Sequence, residues 1–141
     1  MKKFFIINGP NLNMLGTREP EKYGALTLDE IEEHTSKKLD NKNVSLTWWQ
    51  SNSESEIIDK IHALTKVECD ALIINPAAFS HTSVAILDAL KILNIPIVEV
   101  HLTNVYTREP FRHQMLTAQA SSIIMGGLGI DAYYFAVLTQ L

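Results

Sequence analysis

Residues 3–23, KFFIINGPNLNMLGTREPEKY, join a short apolar run to a long polar loop, and the rest of the chain is read outward from that junction. Phe4, Phe5, Ile6 and Ile7 show no alternation of polar and apolar side chains, the mark of a strand buried on both faces of a sheet. The strand stops at Asn8-Gly9-Pro10-Asn11. The loop beyond it is far longer than the roughly two to six residues that usually join strand to helix. A loop of this length in a small domain is more often functional than connective. It carries Asn11, Asn13, Arg18 and Tyr23, with Gly16, Pro20 and Gly24 spaced along it. A phenol titrates near ~10, and a neighbouring cation lowers that value. Arg18 and Tyr23 are therefore a candidate base.

Strand and helix patterns alternate through the remaining chain. The expected strands are 3–8, 44–50, 71–75, 97–101 and 121–126, and the expected helices are 28–39, 55–66, 83–93 and 132–138. Thr27 with Glu30 and Ser53 with Glu56 have the spacing of capping boxes. Leu28, Ile31, Thr35 and Leu39 share one helix face, as do Ile57, Ile58, Ile61 and Leu64 on the next helix. A short helix is expected after Pro110. This repeat predicts an α/β doubly wound sheet of five parallel strands, order 2-1-3-4-5, with helices on both faces.

The predicted order has a functional consequence. Ligands of open α/β sheets bind beyond the carboxyl ends of the strands where the order reverses, here between strands 1 and 3. Asn8 to Asn11, then Asn75-Pro76 with Phe79-Ser80-His81, then Glu99-Val100-His101 all fall on that rim. Glu99 and His101 lie two apart on a strand and share a face. The carboxylate can orient the imidazole, fix its tautomer and favour its charged form, as suits a general acid. The alternative is an ordinary structural pair. His81 is either a ligand contact or an exposed residue of a first helical turn, and Asp88 reads from spacing as a solvated charge. Arg108 and Arg112 suit an anionic or polyhydroxylated ligand, with a solvated basic turn as the alternative. Thr103 and the backbone amides after His101 can hold a carboxylate, as backbone nests do.

Composition bounds the rest. The chain has 141 residues, read as one domain over 1–141, with 46% hydrophobic and 20% charged residues and a net charge of -4. The charge argues against a nucleic-acid partner or a basic membrane-binding surface. No apolar run approaches a membrane span, and Met1 to Ile7 is too short for a signal sequence. The lone cysteine, Cys69, makes no disulfide framework or thiolate metal site and is expected as a small buried hydrophobe in a reducing cytoplasm. There is no Walker A segment, no G-x-S-x-G and no H-x-x-x-H, and no metal is expected. Gly127-Leu-Gly-Ile-Asp-Ala132 matches a loose dinucleotide pattern at the last unit of the chain, where tight helix–strand packing explains it better. A noncatalytic flavodoxin-like binding or signalling module is the alternative to an enzyme, and two features count against it: a phosphoacceptor receiver domain needs an acid where Asn75 stands, and the first loop carries Arg18 and Tyr23.

Together these residues resemble the type II 3-dehydroquinate dehydratases. The matching blocks are NGPNLNMLGTREPEKYG at 8–24, TLDEI at 27–31, QSN at 50–52, INPAAFSHTSVAILDAL at 74–90, and EVHLTN and REPFRH within 99–113. The resemblance implies a flavodoxin-like fold, no cofactor, and a homo-oligomer that is usually a dodecamer, a tetramer of trimers. It implies conversion of 3-dehydroquinate to 3-dehydroshikimate and water by anti elimination, in the shikimate pathway of aromatic amino-acid biosynthesis. Tyr23 is the implied base, Arg18 the stabiliser of its tyrosinate, Asn11 the stabiliser of the enolate and His101 the acid, supported by Glu99 and Asn75. Leu102 and Thr103 are implied to meet the substrate carboxylate, and Asn75, His81 and Arg112 its ring hydroxyls. Arg108 is implied to belong to a lid with Arg18 and Tyr23. The resemblance also implies that Asp88 reaches the site of a neighbouring subunit. Ser53, Ser55, Thr103 and Ala132 depart from the usual family pattern.

Overall fold

A computed structural model of the chain describes residues 1–17, 21 and 25–141. Five parallel strands form one sheet: β1 (Lys2–Asn8), β2 (Val44–Gln50), β3 (Ala71–Asn75), β4 (Ile97–His101) and β5 (Ile123–Gly126). Their order is β2-β1-β3-β4-β5, as the alternation of strand and helix predicts. Among the described residues, four α-helices connect and cover them: α1 (Leu28–Lys38), α2 (Glu54–Ala63), α3 (Val84–Leu90) and α4 (Ala132–Leu138).

Period-two alternation along the buried strands splits the core in two. Phe4, Ile6, Ile73, Val98 and Val100 pack with Ile31 of α1 and Tyr133, Ala136 and Val137 of α4. Ile7, Leu72, Ile74 and Ile97 pack on the other face with Ile57 and Ile61 of α2 and Ile86, Ala89 and Leu90 of α3. Helices therefore cover both faces, and the strand ends are left open along one edge.

Helix starts follow their caps. The Thr27 hydroxyl accepts from the Glu30 N–H and the Glu30 carboxylate accepts from the Thr27 N–H, a complete capping box. The second expected box is only half formed. Ser53 caps α2 by accepting from the Glu56 N–H, but the Glu56 carboxylate accepts from the Ser51 hydroxyl at 2.5 Å, and the Ser53 N–H turns to that same hydroxyl. Helix ends are tighter than the apolar pattern suggests. α2 gives way to a 3-10 turn at Leu64–Lys66, and α3 ends at Leu90 ahead of Pro96. β5 begins at Ile123 rather than residue 121, because the Ser121 N–H closes a turn onto Ala118. A 3-10 turn, Pro110–Arg112, stands where a short helix was expected.

Two smaller expectations change. Cys69 is half buried rather than enclosed, its thiol donating to the Ala71 carbonyl while burial raises its pKa above the usual value. In the segment 127–132, a Cβ at Gly127 would meet nothing closer than 3.5 Å and one at Gly129 nothing within 4 Å. Both glycines have positive φ, 84° and 57°. They stand there for a left-handed backbone, not for close packing. Among the described residues no helix is long and apolar enough to cross a membrane.

Candidate functional site

Register brings the polar strand ends into one row. Asn8 pairs with Gln50 on one side and Asn75 on the other, and β4 runs beside β3 with Ile74 opposite Glu99. Ile97, Glu99 and His101 alternate onto one face of β4. Glu99 is fully buried, and its partners are hydroxyls and an imidazole. Its Oε2 accepts from the Ser80 hydroxyl at 2.7 Å and lies 2.8 Å from His101 Nε2, and its Oε1 accepts from the Thr117 hydroxyl at 2.5 Å. Ser80 comes from the 3-10 turn after β3, and Thr117 from the one before β5. Nε2–H of His101 is thus committed to the carboxylate. Nδ1 makes no hydrogen bond with another described residue.

In front of this pair lies a cleft partly open to solvent. Asn11, Asn75, His81, His101, Leu102, Thr103, Arg108 and Arg112 all line it. Eight of the twelve residues singled out from sequence therefore share one cavity, with Glu99 behind His101. Asp88 is exposed on α3 and does not line the cleft of its own chain. Arg18 and Tyr23 lie outside the described residues.

Each wall has a local cause. Asn11 adopts a left-handed backbone, φ 70°, that asparagine tolerates better than most residues. Its N–H donates to Asn52 Oδ1 at 2.9 Å, and Gln50 Nε2 donates to both Asn52 Oδ1 and the Gly9 carbonyl. Gln50 and Asn52 thus brace the first loop from β2, a role the QSN block signalled only by resemblance. His81 Nδ1–H donates to the Gln114 carbonyl at 2.9 Å, and its ring stacks on that of His101 with centroids 6.0 Å apart. Burial, offset in part by that carbonyl, pushes the His81 pKa below its usual value. The neutral ring leaves Nε2 as an acceptor. Arg112 Nε donates to Glu109 Oε2 at 2.7 Å. The Glu109 carboxyl is held at about 2, first by its own backbone amide and then by Arg112. The Leu102 and Thr103 N–H groups have no backbone acceptor among the described residues.

Asn75 is fixed by a network that sequence reading missed. Its Oδ1 accepts from the Ala77 N–H and its Nδ2 donates to the Tyr133 hydroxyl at 3.2 Å, which donates to Asn8 Oδ1 at 2.5 Å. One amide hydrogen and one carbonyl lone pair of Asn75 remain for a ligand. Tyr133 is fully buried, and burial raises its pKa well above the phenol range, so it stays a neutral phenol. Ala77 has a positive φ of 52°, where a Cβ is strained. Gly9 lies so close to Pro76 that a Cβ would stand 2.3 Å from the Pro76 carbonyl oxygen. The ends of β1 and β3 are therefore pressed together beneath the cleft.

This constellation has matches across known proteins. The model of the family described as Dehydroquinase class II covers residues 2–141. The chain belongs to this family. It is 54% identical over 136 residues to the 3-dehydroquinate dehydratase of Enterobacter sp. (strain 638), covering 96% of this chain and 90% of that protein. It is 53% identical over 132 residues to the 3-dehydroquinate dehydratase of Proteus mirabilis (strain HI4320), covering 94% and 89%. Among solved structures, the type II dehydroquinase of Butyrivibrio crossotus DSM 2876 superposes with a TM-score of 0.95 at 38% identity, covering 99% of this chain and 97% of the other. The doubly wound sheet is thus the flavodoxin-like fold of the type II dehydroquinases.

Proposed function

We propose that the protein dehydrates 3-dehydroquinate to 3-dehydroshikimate and water by anti elimination through an enolate. The observation that carries the reading is the buried Glu99–His101 pair, 2.8 Å apart, behind a cleft lined by asparagine, histidine and arginine. The reaction sets two difficulties, a weakly acidic proton alpha to a ketone and a poor leaving group. An acid and a base on opposite sides of the ring divide them. His101 is the acid that protonates the departing hydroxyl. With Nε2–H held by Glu99, the proton it delivers sits on Nδ1, and the ring that remains is neutral and already correctly tautomerised. Tyr23, helped by Arg18, is the base.

The remaining roles rest on what each group has free. Asn11 stabilises the enolate through a water, as preorganised donors do where charge develops. The Leu102 and Thr103 N–H groups suit a carboxylate. Asn75 with a spare donor and acceptor, neutral His81 with a free Nε2, and Arg112 suit ring hydroxyls. Arg108 belongs with Arg18 and Tyr23 to a region that closes over the substrate and excludes water. Exposure of Asp88 on α3 fits a part in a neighbouring subunit's cleft within a dodecamer of trimers. The exposed Phe135 on α4 leaves apolar surface for such contacts. The setting is the cytoplasm and the shikimate pathway.

The test is conjugated-enone absorbance on mixing purified protein with 3-dehydroquinate and a chelator, run beside Tyr23→Phe. A rise with wild type alone supports the reaction and the need for the Tyr23 hydroxyl. No rise from folded, assembled wild type refutes the proposal, and an undiminished rate in Tyr23→Phe removes Tyr23 as the base.

A further inference from the structure

Glu99 is a carboxylate with no lysine or arginine bonded to it among the described residues, enclosed at 0% exposure. An uncompensated charge is costly in such a place, and a buried carboxylate without a cation ordinarily takes up a proton. Two hydroxyls oppose that outcome. Ser80 and Thr117, both fully buried, donate to opposite oxygens of Glu99, and neither lines the cleft. Thr117 Oγ1 also lies 3.2 Å from Ser80 Oγ, but its single proton is aimed at the carboxylate oxygen at 2.5 Å.

Resting on the dehydratase reading, we propose that Ser80 and Thr117 are positioning residues that keep the Glu99–His101 proton on the imidazole. The pair with its acid proton loaded has two forms. In one, His101 carries protons on both Nδ1 and Nε2, and Glu99 is a carboxylate. In the other, the Nε2 proton has crossed to Glu99 Oε2, the N–H bond broken and the O–H bond formed, leaving a neutral ring with Nδ1–H. Only the imidazolium is an acid strong enough to protonate a departing hydroxyl. Hydrogen bonds to an ionised group favour that form, and bonds to charged groups are the stronger class. Each hydroxyl therefore pulls the equilibrium toward the working acid. The other titratable or charged groups facing the pair are His81, stacked on His101, and Arg108 and Arg112 on the cleft wall. The positive charge of the two arginines further favours the carboxylate but opposes the imidazolium, and His81, kept neutral by burial, adds none.

The experiment compares wild type with Thr117→Val, Thr117→Ser and Ser80→Ala. Thr117→Val keeps the side chain's shape and removes one donor. Its expected effect is a roughly tenfold or greater loss in kcat, the fold-change matching one hydrogen bond to a charged group. KM should stay within about twofold, because Thr117 does not touch the cleft. The acid limb of the kcat profile should move up by about one pH unit. Ser80→Ala should behave alike, and Thr117→Ser should restore both rate and profile. Infrared spectra with isotope-labelled glutamate, assigned by Glu99→Gln, read the Glu99 proton directly. A carboxylic-acid carbonyl band should appear at neutral pH in Thr117→Val and be absent in wild type. Wild-type kcat and pH profile in Thr117→Val, or no such band in it, overturns the inference. Absence of turnover in wild type would sink the dehydratase reading instead, with the infrared comparison still deciding whether the hydroxyls hold the Glu99 charge.

Discussion

Replacing Tyr133 by Phe removes one oxygen atom from the middle of a buried chain of three side chains. The ring itself is retained, and its packing on Trp48, centroids 5.0 Å apart, should survive. The change deletes the acceptor for Asn75 Nδ2 and the donor for Asn8 Oδ1. Asn8 is fully buried and Asn75 nearly so. Water does not readily replace the missing oxygen, so each orphaned group costs about 1–3 kcal/mol. Asn75 keeps its bond from the Ala77 N–H, which places the sum at about 2–4 kcal/mol. For a chain of this size that lowers Tm by roughly 6–12 °C, at about 3 °C per kcal/mol. The effect reaches the cleft, because an Asn75 amide free to rotate no longer presents its spare N–H in one direction. KM should rise severalfold with a smaller change in kcat. The assay is thermal denaturation at fixed protein concentration, alongside steady-state kinetics. A Tm within about 2 °C of wild type with unchanged KM would refute both the network's energetic weight and its role in placing Asn75.

Other outcomes hang on single contacts. Gly9→Ala puts a methyl 2.3 Å from a backbone carbonyl, so β1 and β3 must part. It should destabilise by about 3 kcal/mol or more and lose activity, measured by denaturant unfolding and turnover. Asn52→Ala takes away the acceptor of the Asn11 N–H and one of the acceptors of Gln50 Nε2, which keeps its bond to the Gly9 carbonyl, and should lower kcat with little change in Tm, checked by turnover beside thermal denaturation. The His81 pKa lies below the usual 6.5 in the folded chain, so the unfolded chain takes up the proton first as pH falls. Stability due to neutral His81 is complete above pH 6.5 and declines below it, so wild type should lose Tm relative to His81→Gln as pH drops. The Glu109 carboxyl near 2 keeps its contact with Arg112 until pH falls toward that value. KM should therefore show no titration of Glu109 in the ordinary range, as a KM–pH profile of Glu109→Gln beside wild type would reveal.

Much of the fold was legible because buried parallel strands write it plainly. Runs such as FFII and ALIIN have no polar face to hide, and caps at Thr27 and Ser53 mark helix starts locally. Helix ends were less legible, since the break after Leu90 depends on a chain reversal before Pro96 and not on the apolar pattern. The cleft was legible where chemistry sits on strand ends, as with Asn75, Glu99 and His101. Tyr133, Ser80 and Thr117 were not, because each meets its partner across 18 or more residues of sequence. Tyr133 stands in a run of three aromatics, 133–135, where nothing local marks which hydroxyl is buried, and nothing local distinguishes a threonine before a strand from any turn residue. Asp88 shows the converse limit: a single chain leaves it exposed, as spacing alone suggested.

The central claim is that this cleft dehydrates 3-dehydroquinate with His101 as the acid. It is tested most directly by the rate of enone formation from 3-dehydroquinate, wild type beside His101→Ala, with circular dichroism showing both folded. Wild type should turn over, and His101→Ala should lose about a hundredfold or more, the usual weight of a general acid. No enone from folded wild type, or an undiminished rate in His101→Ala, would contradict the claim.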